Sequence, residues 1–289
     1  MIPTHSTKMK TITTVKEMQA LSDELRKDRK IALVPTMGYL HEGHLALVRR
    51  AREIADIAVV SIFVNPTQFG PKEDLAQYPR DFDRDAMLLD REKTDIIFYP
   101  DAKEIYPDRY STYIEVRKLQ DHLCGKTRVG HFIGVATVVA KLFNIVKPHF
   151  AIFGQKDYQQ LKVIERMTRD LNMDVEIVPC PTVREKDGLA MSSRNTYLSA
   201  EEHRTSLFIS ASMAKAQEHF QKGERQAPAL KRTVEEMLHS GDGIDIEYVS
   251  ICDSETLEEV NEIKNNAVLA IACRVGKTRL IDNTTFTEA

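Results

Sequence analysis

Two histidines three residues apart are the first candidates for chemistry in this chain. His41 and His44 follow the apolar run 31–34 and precede apolar residues at helical spacing. They therefore fall where a strand ends and a helix starts, so free backbone N–H groups and the helix dipole favour an anion such as phosphate. Gly43 lets a ligand approach the backbone, and the i, i+3 spacing lets both imidazoles address one ligand.

The same histidine pair has two other interpretations. A histidine at a helix start is often a capping or solvent-facing residue without a ligand. A metallopeptidase zinc site needs histidines at i and i+4 with a glutamate between them, and the spacing here is i and i+3. Phosphate binding is therefore the hypothesis, with helix capping as its alternative.

Amide and carboxylate side chains form two further clusters. Asn65 and Gln68 follow the apolar run 57–64, and amides at a strand end can orient an organic substrate by hydrogen bonds. The acidic run at 81–85 can complement the dipole of the helix that starts there, or can help to hold Mg²⁺ on a nucleotide. The alternative for the amides is a capped loop that binds no ligand.

A lysine and an arginine lie in the remaining two clusters. Lys156 comes after Gly154, at the end of the apolar run 150–153, and supplies a point charge suited to phosphate. Gln160 lies one helical turn further along, on the same face. The polar loop 183–195 contains two hydroxyls beside a guanidinium, a combination that can bind pyrophosphate. A solubilising lysine and a serine-rich linker are the alternatives.

Strand and helix patterns alternate through the first 180 residues. The predicted strands are 31–34, 57–64, 95–99, 112–116, 150–153 and 175–178. The predicted helices are 15–26, 45–55, 80–92, 133–146 and 159–171. This alternation predicts an α/β fold with a doubly wound parallel sheet, a Rossmann-like domain over residues 1–180. Ligands bind beyond the carboxyl ends of such strands, which is where the two histidines fall.

The pattern changes after residue 180. Two helices are predicted at 198–221 and 227–238, followed by strands at 244–251, 268–273 and 278–282. We therefore expect a second, smaller α+β domain over residues 181–289. The polar loop with Arg194 then lies at the junction between the two domains.

Composition excludes several classes of protein. The 289 residues carry a net charge of −3 and no basic stripe, so we expect no nucleic-acid partner. Four cysteines without a CxxC pair speak against a structural zinc site or a redox pair and, with no recognisable secretory leader, favour a cytoplasmic protein. No apolar stretch approaches the ~20 residues needed to span a bilayer, so we expect no membrane partner.

In this order, the clusters resemble the motifs of the pantothenate synthetase (pantoate–β-alanine ligase) family of the nucleotidylyltransferase superfamily. Residues 37–44 resemble the family's HxGH signature, 154–157 its nucleotide-binding turn, and 191–194 its counterpart of the synthetases' mobile KMSKS loop. Three further motifs that carry the resemblance are 63–69, 78–80 and 279–283. HxGH alone is shared by many enzymes, whereas this ordered set is specific and covers most of the chain.

The resemblance implies an ATP-dependent ligation in two steps. The pantoate carboxylate attacks the α-phosphorus of ATP to give pantoyl adenylate and pyrophosphate. The β-alanine amine then attacks the acyl group to give pantothenate and AMP. This chemistry needs positioning and charge stabilisation more than a protein nucleophile. The resemblance also implies a homodimer.

Four catalytic residues follow from the resemblance. His41 and His44 hydrogen-bond the phosphates as charge develops, and His44 is the proton donor. Lys156 holds oxygens on the α- and γ-phosphate sides, and Arg194 binds the departing pyrophosphate together with the two preceding serines. Mg²⁺ bridges the β- and γ-phosphates with mostly water ligands, and Asp85 is its candidate protein ligand.

A wider set of residues is implied to bind the substrates. The expected ATP-binding residues are Met37, Gly38, His41, Gly43, His44, Gly154, Gln155, Lys156, Asp157, Val183, Met191, Ser192, Ser193 and Arg194. The residues expected to bind pantoate or β-alanine are Asn65, Gln68, Tyr78 and Gln160.

Two other functions remain open on the sequence alone. One is nucleotidyl transfer to a phosphorylated acceptor, which uses the same fold and HxGH and leaves a stable dinucleotide-like product. The other is a non-catalytic nucleotide-sensing module, which would not consume ATP. A tRNA-linked version of this module is disfavoured by the net charge.

Overall fold

The computed structural model describes residues 9–71 and 73–287. Its strands are β1 (Lys10–Ile12), β2 (Ile31–Thr36), β3 (Ile57–Ile62), β4 (Ile96–Phe98), β5 (Phe150–Gly154), β6 (Glu176–Cys180), β7 (Ile244–Asp253), β8 (Ala267–Val275) and β9 (Thr278–Phe286). Its α-helices are α1 (Val15–Leu25), α2 (Glu42–Ile54), α3 (Phe82–Arg91), α4 (Ala102–Ile105), α5 (Cys124–Thr127), α6 (His131–Val146), α7 (Tyr158–Asp170), α8 (Ala200–Gln221) and α9 (Ala227–His239). Within these ranges, none of the helices combines the length and the apolarity that a membrane span requires.

The described residues divide into two compact units built from interleaved segments. The first unit contains the residues up to Val116, together with Val129–Gly154 and Val163–Cys180. The second unit contains Arg117–Arg128, Gln155–Lys162 and the residues from Pro181 onward. The predicted division into domains 1–180 and 181–289 stays a prediction.

A parallel sheet forms the centre of the first unit. Its strand order is β1-β4-β3-β2-β5-β6, and every neighbouring pair is parallel. All of β3 is buried, as expected for a strand that is covered on both faces. The predicted doubly wound α/β fold is confirmed for this unit.

The chain changes direction across this sheet at β2. From β2 the chain passes through α2 to β3 on one side, while β5 pairs with β2 on the other side. The carboxyl ends of β2 and β5 are therefore the topological switch point, the place where ligands bind in open α/β sheets. The residues after Thr36 and at Gly154 lie at this edge of the sheet.

The second unit has an antiparallel sheet with the order β7-β8-β9. Its two long helices pack against the sheet, with Ile209, Leu230 and Leu269 in one shared core. The start of α8 has a capping box in which Ser199 and Glu202 each accept from the other's backbone N–H. The predicted smaller α+β part is confirmed.

One predicted strand was wrong, and one observed strand was not predicted. Residues 112–116 form no strand, and the Ile114 N–H donates to the Thr137 hydroxyl (2.9 Å) instead of to a neighbouring strand. The short strand β1 was missed because three residues in a polar region give no alternation to detect.

Helix α6 packs directly on the turn that follows β3. This turn is the 3-10 segment Pro66–Gln68. A Cβ atom on Gly134 would lie 2.4 Å from the Thr67 carbonyl oxygen and 2.7 Å from the Gln68 nitrogen. Only a residue without a side chain therefore allows the helix to approach the turn this closely.

We predict that Gly134→Ala destabilises the protein by about 1–3 kcal/mol, because backbone atoms must move to admit the methyl group. This cost outweighs the roughly 1 kcal/mol that alanine gains over glycine inside a helix. Gly70→Ala is the matched control, since its nearest neighbours lie 3.7 Å or more away on the flexible Glu73 side chain. Urea unfolding measures both variants, and equal midpoints for Gly134→Ala and the wild type would contradict the packing argument.

Candidate functional site

The two histidines cap the first turn of α2. His41 is the N-cap residue, and its Nδ1 accepts from the Gly43 N–H (3.1 Å), while Nδ1 of His44 accepts from the His41 N–H (3.3 Å). A nitrogen that accepts a hydrogen bond carries no proton, so each neutral ring bears its proton on Nε2. The ring centroids lie 4.0 Å apart. Capping is thus observed, and it makes Nε2 the donor atom of both rings.

The turn before these histidines is held by a buried carboxylate. Asp85, only 1% exposed, accepts from the N–H groups of Tyr39 and Leu40 at 2.7 Å each. Gly38 and Tyr39 have positive φ angles of 83° and 51°, which the turn requires. Burial raises the pKa of the Asp85 carboxyl, while the two backbone hydrogen bonds oppose this shift.

This geometry changes the role that we assign to Asp85. Both of its oxygens accept hydrogen bonds from loop amides, and Arg84 Nη1 lies 3.5 Å from Oδ1. We therefore assign Asp85 as a residue that positions the turn, and we do not assign it as a magnesium ligand. Asp81, by contrast, caps α3 by accepting from the Arg84 N–H (3.1 Å), as its position before a helix predicts.

The amide cluster lies at the same edge of the parallel sheet. The side chains of Asn65 and Gln68 bond to each other (3.1 Å), and Gln68 Nε2 lies 3.1 Å from the Met37 sulfur. Three residues that were predicted separately are therefore neighbours in the first unit. Tyr78 is buried, with its ring edge-on to Phe69 at a centroid distance of 6.0 Å.

In the second unit, Lys156 lies in a 3-10 turn, Gln155–Asp157, that is held from β9. The Asn283 side chain donates to the carbonyl oxygens of Gln155 (3.0 Å) and Lys156 (2.8 Å). Burial lowers the pKa of the Lys156 ammonium, the carboxylates of Asp157 and Asp282 oppose this, and the positive charge of Arg194 lowers it further. Lys156 and Arg194 thus act on one another electrostatically.

The loop that carries the serines and Arg194 is also held from β9. Arg184 makes two bonds to the buried Asp282 carboxylate (2.6 and 3.0 Å) and one to the Gly188 carbonyl (3.1 Å). The Met191 N–H donates to the Val183 carbonyl (3.0 Å), which closes the loop into a hairpin. The bidentate Arg184–Asp282 pair therefore anchors the hairpin to β9, at the residue next to Asn283.

A second turn presents the predicted pyrophosphate-binding residues. The Ser192 hydroxyl accepts from the Arg194 N–H (3.3 Å) at the start of the 3-10 segment Ser193–Tyr197. Asn195 ties this turn to the hairpin by donating to Glu185 (2.6 Å) and to the Ala190 carbonyl (3.1 Å). Side-chain bonds thus order this polar loop, together with the burial of Leu189 and Ala190.

A glutamine next to a predicted site residue has a structural role. Gln159, 5% exposed, accepts from the Cys124 N–H (3.0 Å) and donates to the carbonyls of Leu119 (2.8 Å) and His122 (2.7 Å). It holds the segment 117–128 onto the first turn of α7. Gln160, the predicted substrate ligand, follows it and is half-buried.

The predicted site residues thus fall into two groups. Met37, Gly38, His41, Gly43, His44, Asn65, Gln68, Tyr78, Asp85 and Gly154 belong to the first unit. Gln155, Lys156, Asp157, Gln160, Val183, Met191, Ser192, Ser193 and Arg194 belong to the second. The sequence motifs included Arg184, Asp282 and Asn283, but we predicted no role for any of the three.

One group of possible metal ligands occurs among the described residues. Ligand atoms of Glu185, Asp187 and His203 lie within 4.8 Å of one another. Asp187 pairs with His203 Nε2 at 2.8 Å, a hydrogen bond that lowers the pKa of the carboxyl. This pairing accounts for the cluster, and we assign it no metal.

Comparisons with known proteins agree on one family. The family model described as pantoate-beta-alanine ligase matches residues 10–285. The pantothenate synthetase of Thermotoga petrophila is 57% identical over 277 residues, 96% of this chain and 99% of the relative. That of Pseudothermotoga lettingae is 56% identical over 280 residues, 97% of this chain and 100% of the relative.

Solved structures of the same family share the fold. The crystal structure of pantothenate synthetase from Thermus thermophilus matches with a TM-score of 0.91 and 44% identity, covering 96% of this chain and 99% of that chain. The pantoate-beta-alanine ligase from Francisella tularensis, complexed with beta-gamma ATP and beta-alanine, matches with a TM-score of 0.78 and 34% identity, covering 96% and 97%.

We predict that Asn283→Asp loosens the turn that carries Lys156. The variant loses both donors and places a carboxylate against two carbonyl oxygens, and leaving such buried groups unsatisfied costs about 1–3 kcal/mol. Amide hydrogen exchange in residues 155–158 should therefore accelerate by roughly ten- to a hundredfold. Thr285→Ala, at an exposed position of the same strand, is the control. If amide exchange in residues 155–158 is unchanged in Asn283→Asp, then Asn283 does not brace the turn.

Proposed function

Because this chain belongs to the pantoate-beta-alanine ligase family, we propose that it condenses pantoate with β-alanine to pantothenate, using ATP. The match of the family model over residues 10–285 carries this proposal. The relatives named pantothenate synthetase and the solved ligase with ATP and β-alanine bound support it. The enzyme is thus an amide-forming ligase.

The proposed reaction has two steps. A pantoate carboxylate oxygen forms a bond to the α-phosphorus of ATP, while the bond to the β,γ-diphosphate breaks and pyrophosphate leaves. The β-alanine amine then bonds to the acyl carbon, AMP leaves with the carboxyl oxygen, and the amine gives up a proton. Pantothenate is the product. Neither step needs a nucleophile from the protein, so catalysis consists of positioning and charge stabilisation.

His41 and His44 supply hydrogen-bond donors to the phosphates in this proposal. Their Nδ1 atoms accept backbone N–H groups, so the donors are the Nε2–H groups at the start of α2. The helix dipole adds partial positive charge at the same place. We propose that His44, the expected proton donor, donates its Nε2–H to the phosphate oxygens as a hydrogen bond, because a neutral imidazole does not give up that proton. We also propose that Gly38 and Gly43 let the nucleotide approach the backbone.

Lys156 and Arg194 supply the fixed positive charge. Lys156 would hold oxygens on the α- and γ-phosphate sides, and Arg194 would bind pyrophosphate with Ser192 and Ser193. The bracing of both turns from β9 supports this assignment, since preorganised charges need no rearrangement as the transition state forms. Further ATP contacts are proposed for Met37, Gly154, Gln155, Asp157, Val183 and Met191.

The acid substrate is recognised by amides in this proposal. Gln68 and Gln160 would bind the hydroxyls and the carboxylate of pantoate, with Asn65 and Tyr78 in support. The contact of Gln68 with Asn65 and Met37 supports its placement at the edge where activation occurs. Amide donors suit a substrate that offers several oxygen acceptors.

Mg²⁺ enters this proposal as part of the substrate, bound to ATP. Magnesium prefers a few phosphate or carboxylate oxygens and several waters over an all-protein cage. The carboxylate of Asp85 is committed to two backbone amides, so it does not fit the role of a metal ligand. Phosphate oxygens and water then hold the ion, which neutralises charge on the departing pyrophosphate.

We also propose that the protein is a cytoplasmic homodimer. The dimer is implied by the resemblance to the family, and the four buried free cysteines suit a reducing compartment. Sedimentation equilibrium at the mass of a single chain would exclude the dimer.

Omission of single substrates tests the proposed function. We expect pyrophosphate from ATP, Mg²⁺ and pantoate alone, and AMP plus pantothenate only when β-alanine is added. A stable nucleotide adduct of a phosphorylated acceptor would favour nucleotidyl transfer, and no ATP consumption at all would favour a sensor. Either result would overturn the ligase proposal.

Two variants test the catalytic residues within that assay. His44→Ala and Lys156→Ala should each lower kcat about 10²–10³-fold, because each removes one preorganised donor or charge. The exposed residues His239 and Lys222 offer matched controls, and their alanine variants should keep wild-type rates. Near-normal pyrophosphate release by a folded His44→Ala or Lys156→Ala variant would remove that residue from the mechanism.

A further inference from the structure

We propose that Tyr106 is a positioning residue, which fixes the side-chain amide of Gln68 through Asn65. The acid-binding site then presents the N–H groups of Gln68 and prefers substrates with oxygen acceptors. This inference rests on the proposed function, because it deepens the role given to Gln68. Four residues carry it: Tyr106, Asn65, Thr67 and Gln68. All four belong to the first unit.

The amide of Asn65 can have only one orientation. Its Nδ2 donates to the Gly134 carbonyl oxygen (3.1 Å), and a carbonyl oxygen can only accept. Its Oδ1 accepts from the hydroxyls of Tyr106 (2.8 Å) and Thr67 (2.9 Å). Asn65 is 1% exposed and uses both ends of its amide within the protein. It therefore acts through its neighbours rather than by touching substrate.

The orientation of Asn65 sets that of Gln68. The second proton on Asn65 Nδ2 points at Gln68, so the atom that receives it, at 3.1 Å, is Oε1. Gln68 Nε2 is then the donor end, beside the weakly accepting sulfur of Met37 (3.1 Å). A site built on this amide therefore offers N–H groups and favours a hydroxyl or carboxylate oxygen on the substrate.

Helix α6 fixes the backbone of the same turn. His131 Nδ1 lies 2.8 Å from the Gln68 carbonyl oxygen, so Nδ1 is the donor. Gly134 lets the helix approach until its α-carbon region meets the Thr67 and Gln68 backbone. The backbone of Gln68 is thus fixed by α6, and the orientation of its side-chain amide depends on the hydrogen bond from Asn65.

Tyr106 is built to remain a donor. Burial raises the pKa of its phenol to about 12, so the hydroxyl keeps its proton through the neutral range. Its ring contacts Tyr110 edge-on at a centroid distance of 5.0 Å and Phe63 at 6.3 Å. Lys141, the charged group facing these rings, lies 5.8 Å from the Tyr106 centroid and 4.5 Å from that of Tyr110. The hydroxyl is therefore held at Asn65 by packing.

Removing this hydroxyl should weaken the preference of the site for an acceptor. Asn65 Oδ1 would lose its shortest donor, while Thr67 and the Gly134 carbonyl would still set its orientation. The Asn65 side chain would therefore be held less firmly and would constrain the Gln68 amide less tightly. A tenfold change in affinity corresponds to about 1.4 kcal/mol, which lies within the range that one hydrogen bond contributes. The effect should fall on the acid substrate and spare ATP.

Steady-state kinetics of Tyr106→Phe test the inference. We expect KM for pantoate to rise about tenfold, with kcat and the KM values for ATP and β-alanine within about threefold of wild type. Tyr110→Phe removes a hydroxyl from the same aromatic cluster without touching Asn65, and should match the wild type. Thr67→Val, which removes the second hydroxyl donor, should raise KM for pantoate by a smaller factor.

A double variant separates positioning from a general structural role. If Tyr106 acts through Gln68, then Tyr106→Phe should change KM for pantoate little in a Gln68→Ala background. Equal effects of Tyr106→Phe in both backgrounds, a uniform loss across all substrates, or an unchanged pantoate KM in Tyr106→Phe would overturn the inference. If the wild type fails to consume ATP with pantoate, the proposed function fails and this inference fails with it.

Discussion

Two backbone N–H groups that donate to the buried Asp85 carboxylate are the constraint on which the first unit's site depends. They hold Tyr39 and Leu40 in the turn after β2, and the positive φ angle of Gly38 lets the chain reach that carboxylate. His41 then caps α2, and its ring accepts from the Gly43 N–H in the first turn of the helix. Charge-assisted bonds of this kind are stronger than neutral ones, so a single side chain from α3 orders the whole connection.

The same principle recurs at several of the groups that we assign to the reaction. Backbone amides set the imidazole tautomers, Asn65 sets the amide of Gln68, and Asn283 and Asp282 brace the turns of Lys156 and of the hairpin before Arg194. Preorganisation is where an enzyme without a covalent nucleophile obtains its rate. Residues that do not touch substrate therefore still affect the reaction, because they fix the groups that do.

Sequence patterns predicted the elements well, because apolar strands such as β3 and amphipathic helices such as α2 have clear periods. They also predicted which chemical groups follow each strand. They could not assign the supporting residues. The sequence does not distinguish Asp85 from a carboxylate that only complements the helix dipole of α3. Only the folded turn shows which backbone N–H groups donate to it. Asn283 donates to Gln155 and Lys156, which lie 128 and 127 positions earlier in the chain, and no local sequence pattern spans that separation.

The imidazole tautomers of His41 and His44 test most directly whether backbone amides orient the donors of this site. Long-range ¹H–¹⁵N spectra of the whole protein, with the two rings assigned through His41→Gln and His44→Gln variants, report which ring nitrogen carries the proton. Both neutral rings should show the pattern of a proton on Nε2 and an acceptor at Nδ1. Protons on Nδ1 would mean that the backbone does not set these rings, and would contradict the account.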